Sequence, residues 1–143
     1  MRIIALDIGD SRVGIAVSDG EGRLAFPVKV LPTAEVLSMA SSFKRILEDY
    51  EPELLLAGLP LSLTGEESQQ TEHVRQQAQS IAQACGLALV FQDERLSSAE
   101  AKRKLREDGL TEREMRGKVD MIAASLFLQA YLDAQEQEDE ESQ

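Results

Sequence analysis

The sequence has little cysteine and no long apolar run. Its 143 residues include one cysteine, Cys85, which excludes a disulfide within the chain. No stretch reaches the roughly eighteen apolar residues that a membrane span needs. The start, MRIIALDIGD, has neither the basic flank nor the apolar stretch of a secretory signal. We therefore expect a cytoplasmic protein with no membrane partner.

Basic residues are also scarce, which at first argues against a nucleic-acid partner. The chain has 15 Lys and Arg against 26 Asp and Glu, a formal charge of -11, and phosphate binding depends on basic side chains. The charge is uneven, however, because residues 134–143 contain five acids and no base, whereas residues 95–118 contain eight bases and five acids. Such a charged run is usually a solvated helix face, but this one could also hold a nucleic-acid backbone.

Length and composition are those of one globular domain. Apolar residues make up 43% of the chain and charged residues 29%, far from the composition of a disordered protein, and the length suffices for one continuous core. We predict a single domain over residues 1–133. Residues 134–143 are acidic and lack an apolar face, so we predict a disordered tail that frays into solvent.

Three apolar runs at the start of the chain predict antiparallel strands. Residues 2–7 and 13–18 are rich in β-branched side chains and are joined by a short turn that contains Gly and Asp. Residues 26–31 form a third run before Pro32. The simplest arrangement is a meander of three strands.

The rest of the chain alternates between helical and strand-like patterns. Helical spacing predicts helices from Thr33 to a stop at Pro52, from Val74 to Cys85, over 97–108 and over 118–133, and short apolar blocks predict buried strands at 53–58 and 87–91. Together these give an α/β fold with a five-stranded mixed sheet, three antiparallel strands followed by parallel ones, and helices on both faces. Ligands of such sheets collect at the edge where the parallel strands end.

Acidic residues fall where this arrangement can bring them together. Asp7 ends the first strand, Asp93 and Glu94 follow the fifth, and Asp120 lies in the first turn of the last helix. Each also has an ordinary structural explanation, as a turn aspartate or as a carboxylate that stabilises a helix N-terminus. Adjacent side chains on an extended segment point to opposite faces, so only one of Asp93 and Glu94 can face a shared centre.

Carboxylates that converge without a base between them repel one another unless a cation lies among them. Mg²⁺ and Mn²⁺ prefer such oxygen ligands, and one or two of these ions can activate water to hydrolyse a phosphodiester. We predict Asp7, Glu94 and Asp120 as catalytic metal ligands, with Asp93 as the catalytic alternative to Glu94. The residues predicted to bind nucleic acid are Arg12, Arg95, Lys102, Arg103, Arg106, Arg116 and Lys118.

Four motifs resemble the YqgF/RuvX family of Holliday junction resolvase-like proteins. They are LDIGDSRVGIAVSD at 6–19, GLPLSLTG at 58–65, DERLSSAEA at 93–101 and KVDMIAASLFLQAYLD at 118–133. The resemblance implies a ribonuclease H-like fold and a nuclease that processes the precursor of 16S ribosomal RNA or cuts branched DNA. It places the first acid at Asp7, the second within 93–95 and the third at Asp120.

One position departs from the wider superfamily that the resemblance implies. There the second carboxylate often ends the fourth strand, but in this chain the corresponding residues are Gly58, Leu59 and Pro60. The role must therefore pass to Asp93 or Glu94.

Two other functions remain open at this point. An Asp-x-Gly turn between strands also resembles the phosphate loop of actin-like kinases, which would make the chain an ATP-binding phosphotransferase. Those proteins bind nucleotide between two such domains, and this chain has length for one. The protein could also be a non-catalytic factor that binds RNA or the transcription machinery. The sequence leaves both a monomer and a homodimer open.

Overall fold

The described residues, 1–95 and 97–141 of a computed structural model, form five strands and six helices. The strands are β1 (Ile3–Ile8), β2 (Arg12–Ser18), β3 (Ala25–Pro32), β4 (Leu54–Leu59) and β5 (Ala88–Asp93). The helices are α1 (Thr33–Leu37), α2 (Ser41–Tyr50), α3 (Gln69–Cys85), α4 (Ser97–Glu107), α5 (Glu112–Arg116) and α6 (Val119–Glu141).

The strands make one mixed sheet in the order β3-β2-β1-β4-β5. β2 pairs antiparallel with β1 and with β3, whereas β4 pairs parallel with β1 and with β5. The central strands β1 and β4 are buried at nearly every position, as expected for strands covered on both faces. The predicted mixed sheet is confirmed, and β1 lies at its centre.

Helices cover both faces of the sheet, as predicted. On one face, Phe43 of α2 and Ile81 of α3 belong to a core formed with apolar side chains of β1, β2 and β4. On the other face, Phe127 of α6 packs with small residues of the sheet such as Ala5 and Ala16, and α4 lies against α6. Small side chains let α6 approach the sheet closely, which brings the start of this helix over β1 and β2.

The helix predicted from Thr33 to Pro52 is in fact two helices. α1 ends at Leu37, α2 begins at Ser41, and Met39 between them has a φ of 55°. Apolar side chains of both helices face the same core, so the apolar spacing continues through the break and cannot reveal it.

The last helix continues beyond its predicted end near residue 133. α6 runs to Glu141, and residues 133–141 are exposed. Ala, Gln and Glu form helices well without tertiary contacts, and this stretch contains neither Gly nor Pro, so the predicted fraying does not appear in the described part. The division into a domain over 1–133 and a tail over 134–143 stays a prediction. No helix within the described ranges, α6 included, is long and apolar enough to cross a bilayer.

Candidate active site

Asp7 lies near the carboxyl end of the central strand, on the face that α6 covers. Ala5 and Ile3, two and four residues before it, belong to the α6-side core, and alternate residues of a strand share a face. On β2 the partner of Asp7 is Gly14. On β4 the partner of Leu6 is Ala57, so Gly58 stands at the level of Asp7. A glycine therefore flanks Asp7 on each side.

These two glycines make room for the other acids. A Cβ atom at Gly14 would lie 2.1 Å from the backbone carbon and oxygen of Asp120. A Cβ atom at Gly58 would lie 2.5 Å from Oε2 of Glu94 and 2.8 Å from the ring of Phe127. Because both side chains are absent, the start of α6 and the carboxylate of Glu94 can close over β1.

Glu94 brings its carboxylate from β5 to the space above Gly58. Its backbone N–H donates to the carbonyl of Leu59, 3.2 Å away, which ties the ends of β4 and β5 together. Its side chain accepts a hydrogen bond from Asp7. A carboxylate is thus present where the sequence has glycine in place of an acid at the end of the fourth strand.

Asp93 is occupied differently. It is the last residue of β5, and its carboxylate accepts hydrogen bonds from the backbone N–H of Arg95 at 2.8 Å and from the Arg95 Nε at 2.6 Å. Of the two candidates for the second acid, the geometry therefore favours Glu94.

Asp120 reaches the site from the first turn of α6. Its Oδ2 atom is buried and accepts no hydrogen bond from the described residues, although Nε of Arg12 lies 3.1 Å away as an ion pair. The Arg12 Nη1 donates to the carbonyl of Arg116 at 3.2 Å. Arg12 thus connects β2 with the turn between α5 and α6.

Burial is the main cause of a raised pKa at each of the three acids. Burial, together with the negative charges of Glu94 and Asp120, raises the pKa of Asp7 to about 9. Burial also raises the pKa of Glu94, although the hydrogen bond from Asp7 lowers it. For Asp120, burial raises the pKa and the charge of Arg12 opposes the shift. At neutral pH the metal-free site therefore keeps a proton on Asp7, because ionising it would bury a negative charge and place it beside those of Glu94 and Asp120.

The residues fit a hard divalent cation in chemistry and burial. Asp7, Glu94 and Asp120 would supply a donor set of three carboxylates, and one of their oxygens, Oδ2 of Asp120, is buried without a hydrogen bond from the described residues. Over residues 1–95 and 97–141, no group of three or more His, Cys, Asp or Glu side chains has the arrangement of a complete metal site. Instead Asp7 shares its proton with Glu94, and Asp120 faces Arg12. Such partners are the ones that a cation replaces on binding.

The predicted basic residues divide into two groups. Arg12, Lys102 and Arg116 line a cleft of about 400 Å³ together with Asp120. Arg95 lies on the other side of the acids, where its Nη1 donates to the carbonyl of Leu63 at 3.3 Å.

The remaining basic residues do not line that cleft. Arg103 pairs with Glu107 at 2.8 Å and Glu100 at 3.6 Å along the exposed face of α4, and Arg106 lies 3.6 Å from Glu112. Lys118 is exposed just before α6.

Gly14 and Gly58 are the site residues that sequence reasoning missed as contributors. A signal was present, because glycine weakens a strand interior and often marks a close approach of another group. Both glycines stand inside apolar runs.

Comparison with known proteins agrees with this architecture. A family model described as "RuvX: Holliday junction resolvase" matches residues 1–134. The chain belongs to the RuvX family. A relative from Anaeromyxobacter sp. (strain Fw109-5) named "Putative pre-16S rRNA nuclease" is 38% identical over 133 residues, which cover 93% of this chain and 97% of the relative. A relative of the same name from Lactococcus lactis subsp. lactis (strain IL1403) is 38% identical over 138 residues, or 93% and 94% of the two chains.

Solved structures show the fold of this RuvX-family chain. RuvC of Thermus thermophilus, solved with a Holliday junction substrate, superposes with a TM-score of 0.53 at 16% identity, covering 94% of this chain and 95% of RuvC. The fowlpox virus Holliday junction resolvase has a TM-score of 0.53 at 17% identity, covering 94% and 99%. The predicted family and the ribonuclease H-like fold are confirmed. The kinase interpretation gains no support from the family match.

Proposed function

We propose that this protein is a nuclease that hydrolyses phosphodiester bonds in structured nucleic acid with the help of Mg²⁺ or Mn²⁺, and that its substrate is the precursor of 16S ribosomal RNA. The observation that carries the proposal is the placement of three acids that are far apart in sequence. Glu94 lies over Gly58 and the backbone of Asp120 lies over Gly14, and these two glycines flank Asp7 in the sheet. The names of the curated relatives support the RNA substrate.

In this proposal Asp7, Glu94 and Asp120 would hold one or two ions. Bound there, such ions activate water and stabilise the leaving oxygen of a phosphodiester. Asp7 has to release the proton that it shares with Glu94, since the deprotonated carboxylate is the ligand. We therefore expect proton release when the metal-free protein is titrated with Mn²⁺ near neutral pH.

The bases around the cleft would position the nucleic acid. Arg12, Lys102 and Arg116 offer positive charge on the Asp120 side of the site, and Arg95 offers it on the Glu94 side. Basic side chains on both sides of the acids would bind phosphates of the nucleic-acid strand. The phosphodiester bond to be cut would then lie over the acids. All three acids lie in one described chain, so each copy carries the full set, whether the protein acts as a monomer or as a homodimer. A cytoplasmic location is part of the proposal.

Branched DNA is the second candidate substrate. The description of the family model and the two solved structures name Holliday junctions. A third candidate is a non-catalytic factor that binds RNA or the transcription machinery through the same surface.

Cleavage assays separate these candidates. The chain is incubated with 5′-extended 16S precursor RNA and with a four-way DNA junction, in Mg²⁺ or Mn²⁺, and compared with Asp7→Asn and Asp120→Asn. Asp49→Asn is the matched control, because Asp49 is exposed on α2 at the opposite face. We expect each site variant to lose at least roughly 100-fold in cleavage and the control to keep full activity. Equal cleavage results for the unmodified chain, the two site variants and the control would contradict catalysis by these acids and favour the non-catalytic factor.

A further inference from the structure

The loop between β4 and α3 presents an apolar side chain to solvent. Leu63 is 78% exposed, the most exposed large hydrophobic residue of the described part of the chain. Single exposed apolar side chains are common on protein surfaces and by themselves indicate nothing. For Leu63, the hydrogen-bonded loop that carries it and its position beside the acids indicate a role in binding.

The loop is held in shape by polar contacts that do not use the side chain of Leu63. The backbone N–H of Ser62 donates to the carbonyl of Glu66 at 3.0 Å, and that of Gly65 donates to the carbonyl of Ser62 at 2.8 Å. The Ser62 hydroxyl accepts the N–H of Glu66 at 3.1 Å and lies 2.9 Å from the hydroxyl of Thr64. These hydrogen bonds do not involve the side chain at position 63, so they do not explain a leucine there.

The loop is attached to the segment that carries the second acid. Arg95, next to Glu94 in the chain, donates to the carbonyl of Leu63 at 3.3 Å while its Nε is held by Asp93 at 2.6 Å. In the sheet, β2 with Arg12 lies on one side of β1, and β4 and β5 with this loop lie on the other. Leu63 therefore stands on the Glu94 side of the acids, whereas the cleft lined by Arg12, Lys102 and Arg116 lies on the Asp120 side.

We infer that Leu63 packs against an unstacked nucleobase of the substrate beside the phosphate that is cut, an inference that rests on the proposed nuclease function. A leucine gains nothing from phosphate, and an uninterrupted duplex keeps its base faces covered by stacking. Base faces become available at bulges, junctions and steps between duplex and single strand, where apolar side chains can insert or stack. Leu63 thus selects nucleic acid with an interrupted helix.

The surroundings favour a base over an apolar protein surface. In the loop Leu63 stands between Ser62 and Thr64, the partly exposed Leu61 lies two residues before it, and the guanidinium of Arg95 lies beneath Gly65. A protein-docking patch would need contiguous apolar area, whereas a leucine with a hydroxyl on either side and a cation beneath the loop matches the mixed chemistry of a nucleotide.

Binding to paired RNA probes tests the inference. One probe is a duplex with an unpaired 2-aminopurine, and the other is the same duplex without interruption. All proteins carry Asp7→Asn so that no probe is cut. We expect Leu63→Ala to weaken binding to the interrupted probe by roughly 5-fold or more, as for loss of a base contact, and to leave the uninterrupted probe unaffected. Leu63→Phe should bind the interrupted probe more tightly than Leu63→Ala does, and its binding should change the fluorescence of the 2-aminopurine.

The control variant is Leu24→Ala, because Leu24 is 55% exposed in the turn between β2 and β3 at the opposite edge of the sheet. It should bind both probes like its parent. Equal weakening of both probes by Leu63→Ala, or no weakening of either, would overturn the base contact. Cleavage of the same RNAs by the unmodified chain separates the two levels of inference. If the RNAs are cut but Leu63→Ala has no effect, only the base contact is overturned. If the RNAs are neither bound nor cut, the proposed nuclease function is overturned as well.

Discussion

The two strands that flank Asp7 both carry a glycine at the level of the acids, but different groups stand over them. Over Gly14 lies the backbone of Asp120 and Met121 at the start of α6. Over Gly58 lie the end of the Glu94 side chain and the ring of Phe127. On the β2 side the acid is therefore placed by main chain, which cannot move without its helix. On the β4 side the acid is placed by a side chain that can rotate.

The largest expected effect tests this difference in rigidity. In Gly14→Ala the new Cβ meets backbone atoms at 2.1 Å, so α6 must shift together with the core residues that it contributes. We expect the free energy of unfolding to fall by about 3 kcal/mol or more, at the upper end for an overpacked core. In Gly58→Ala the Glu94 carboxylate can swing away and only the Phe127 ring must yield, so we expect about 1–2 kcal/mol. Urea unfolding followed by circular dichroism measures both.

The control for both substitutions is Gly117→Ala. A Cβ atom there meets nothing within 4 Å, and the backbone at Gly117 has a φ of -84°, which alanine adopts readily. We expect no loss of stability and a gain of at most about 1 kcal/mol. A loss in Gly58→Ala as great as that in Gly14→Ala would end the distinction between a rigid and a movable side of the site.

The second prediction compares the two neighbouring acids by their effect on Asp7. The pKa of Asp7 rises from 3.8 to about 9 on folding without metal, so between these values the folded state holds a proton that the unfolded state has lost. Stability from this group is therefore complete below about pH 4 and is lost as the pH rises toward 9, with a slope of at most about 1.4 kcal/mol per pH unit. Asp7→Asn should remove this component.

Glu94 raises the pKa of Asp7 more than Asp120 does, through both its charge and its hydrogen bond. Glu94→Gln should therefore flatten the fall in stability more than Asp120→Asn does. The measurement is urea unfolding in a chelator at a series of pH values between about 5 and 9. Equal flattening by the two variants would show that both sides of the site act on Asp7 alike.

Much of this candidate site can be predicted from the sequence, because strands and helix starts are local features. Apolar runs located β1 and β5, and the acids at their ends followed directly. The sequence gives no physical ground for choosing Glu94 over Asp93, since the choice depends on Arg95 folding back onto Asp93 and on free space above Gly58.

Other features could not be predicted from the sequence, for reasons that are equally physical. Gly14 is required by a helix that lies far away in the sequence, so a glycine inside a strand pattern signals a close approach but does not say which group approaches. On α4 the spacing of Glu100, Arg103 and Glu107 allows ion pairs along one helix face, and the structure has them. Nucleic-acid binding by the basic residues of this helix stays a prediction. The extension of α6 past residue 133 reflects helix propensity without burial, which an analysis based on apolar faces overlooks.

The smallest expected effect concerns Arg12, which faces Asp120 on the rigid side. Arg12 is half-exposed, so its ion pair at 3.1 Å is worth about 1 kcal/mol or less. If Arg12 occupies the place of a cation, Arg12→Gln should tighten Mn²⁺ binding up to about 5-fold by calorimetry without nucleic acid, and should weaken RNA binding. Lys102→Gln removes one charge from the same cleft without contacting Asp120, and should weaken RNA binding with less effect on Mn²⁺. Weaker Mn²⁺ binding in Arg12→Gln would instead mean that Arg12 holds Asp120 in position for the metal. The rigid side of the site would then include the side chain of Arg12 on β2 as well as the main chain of α6.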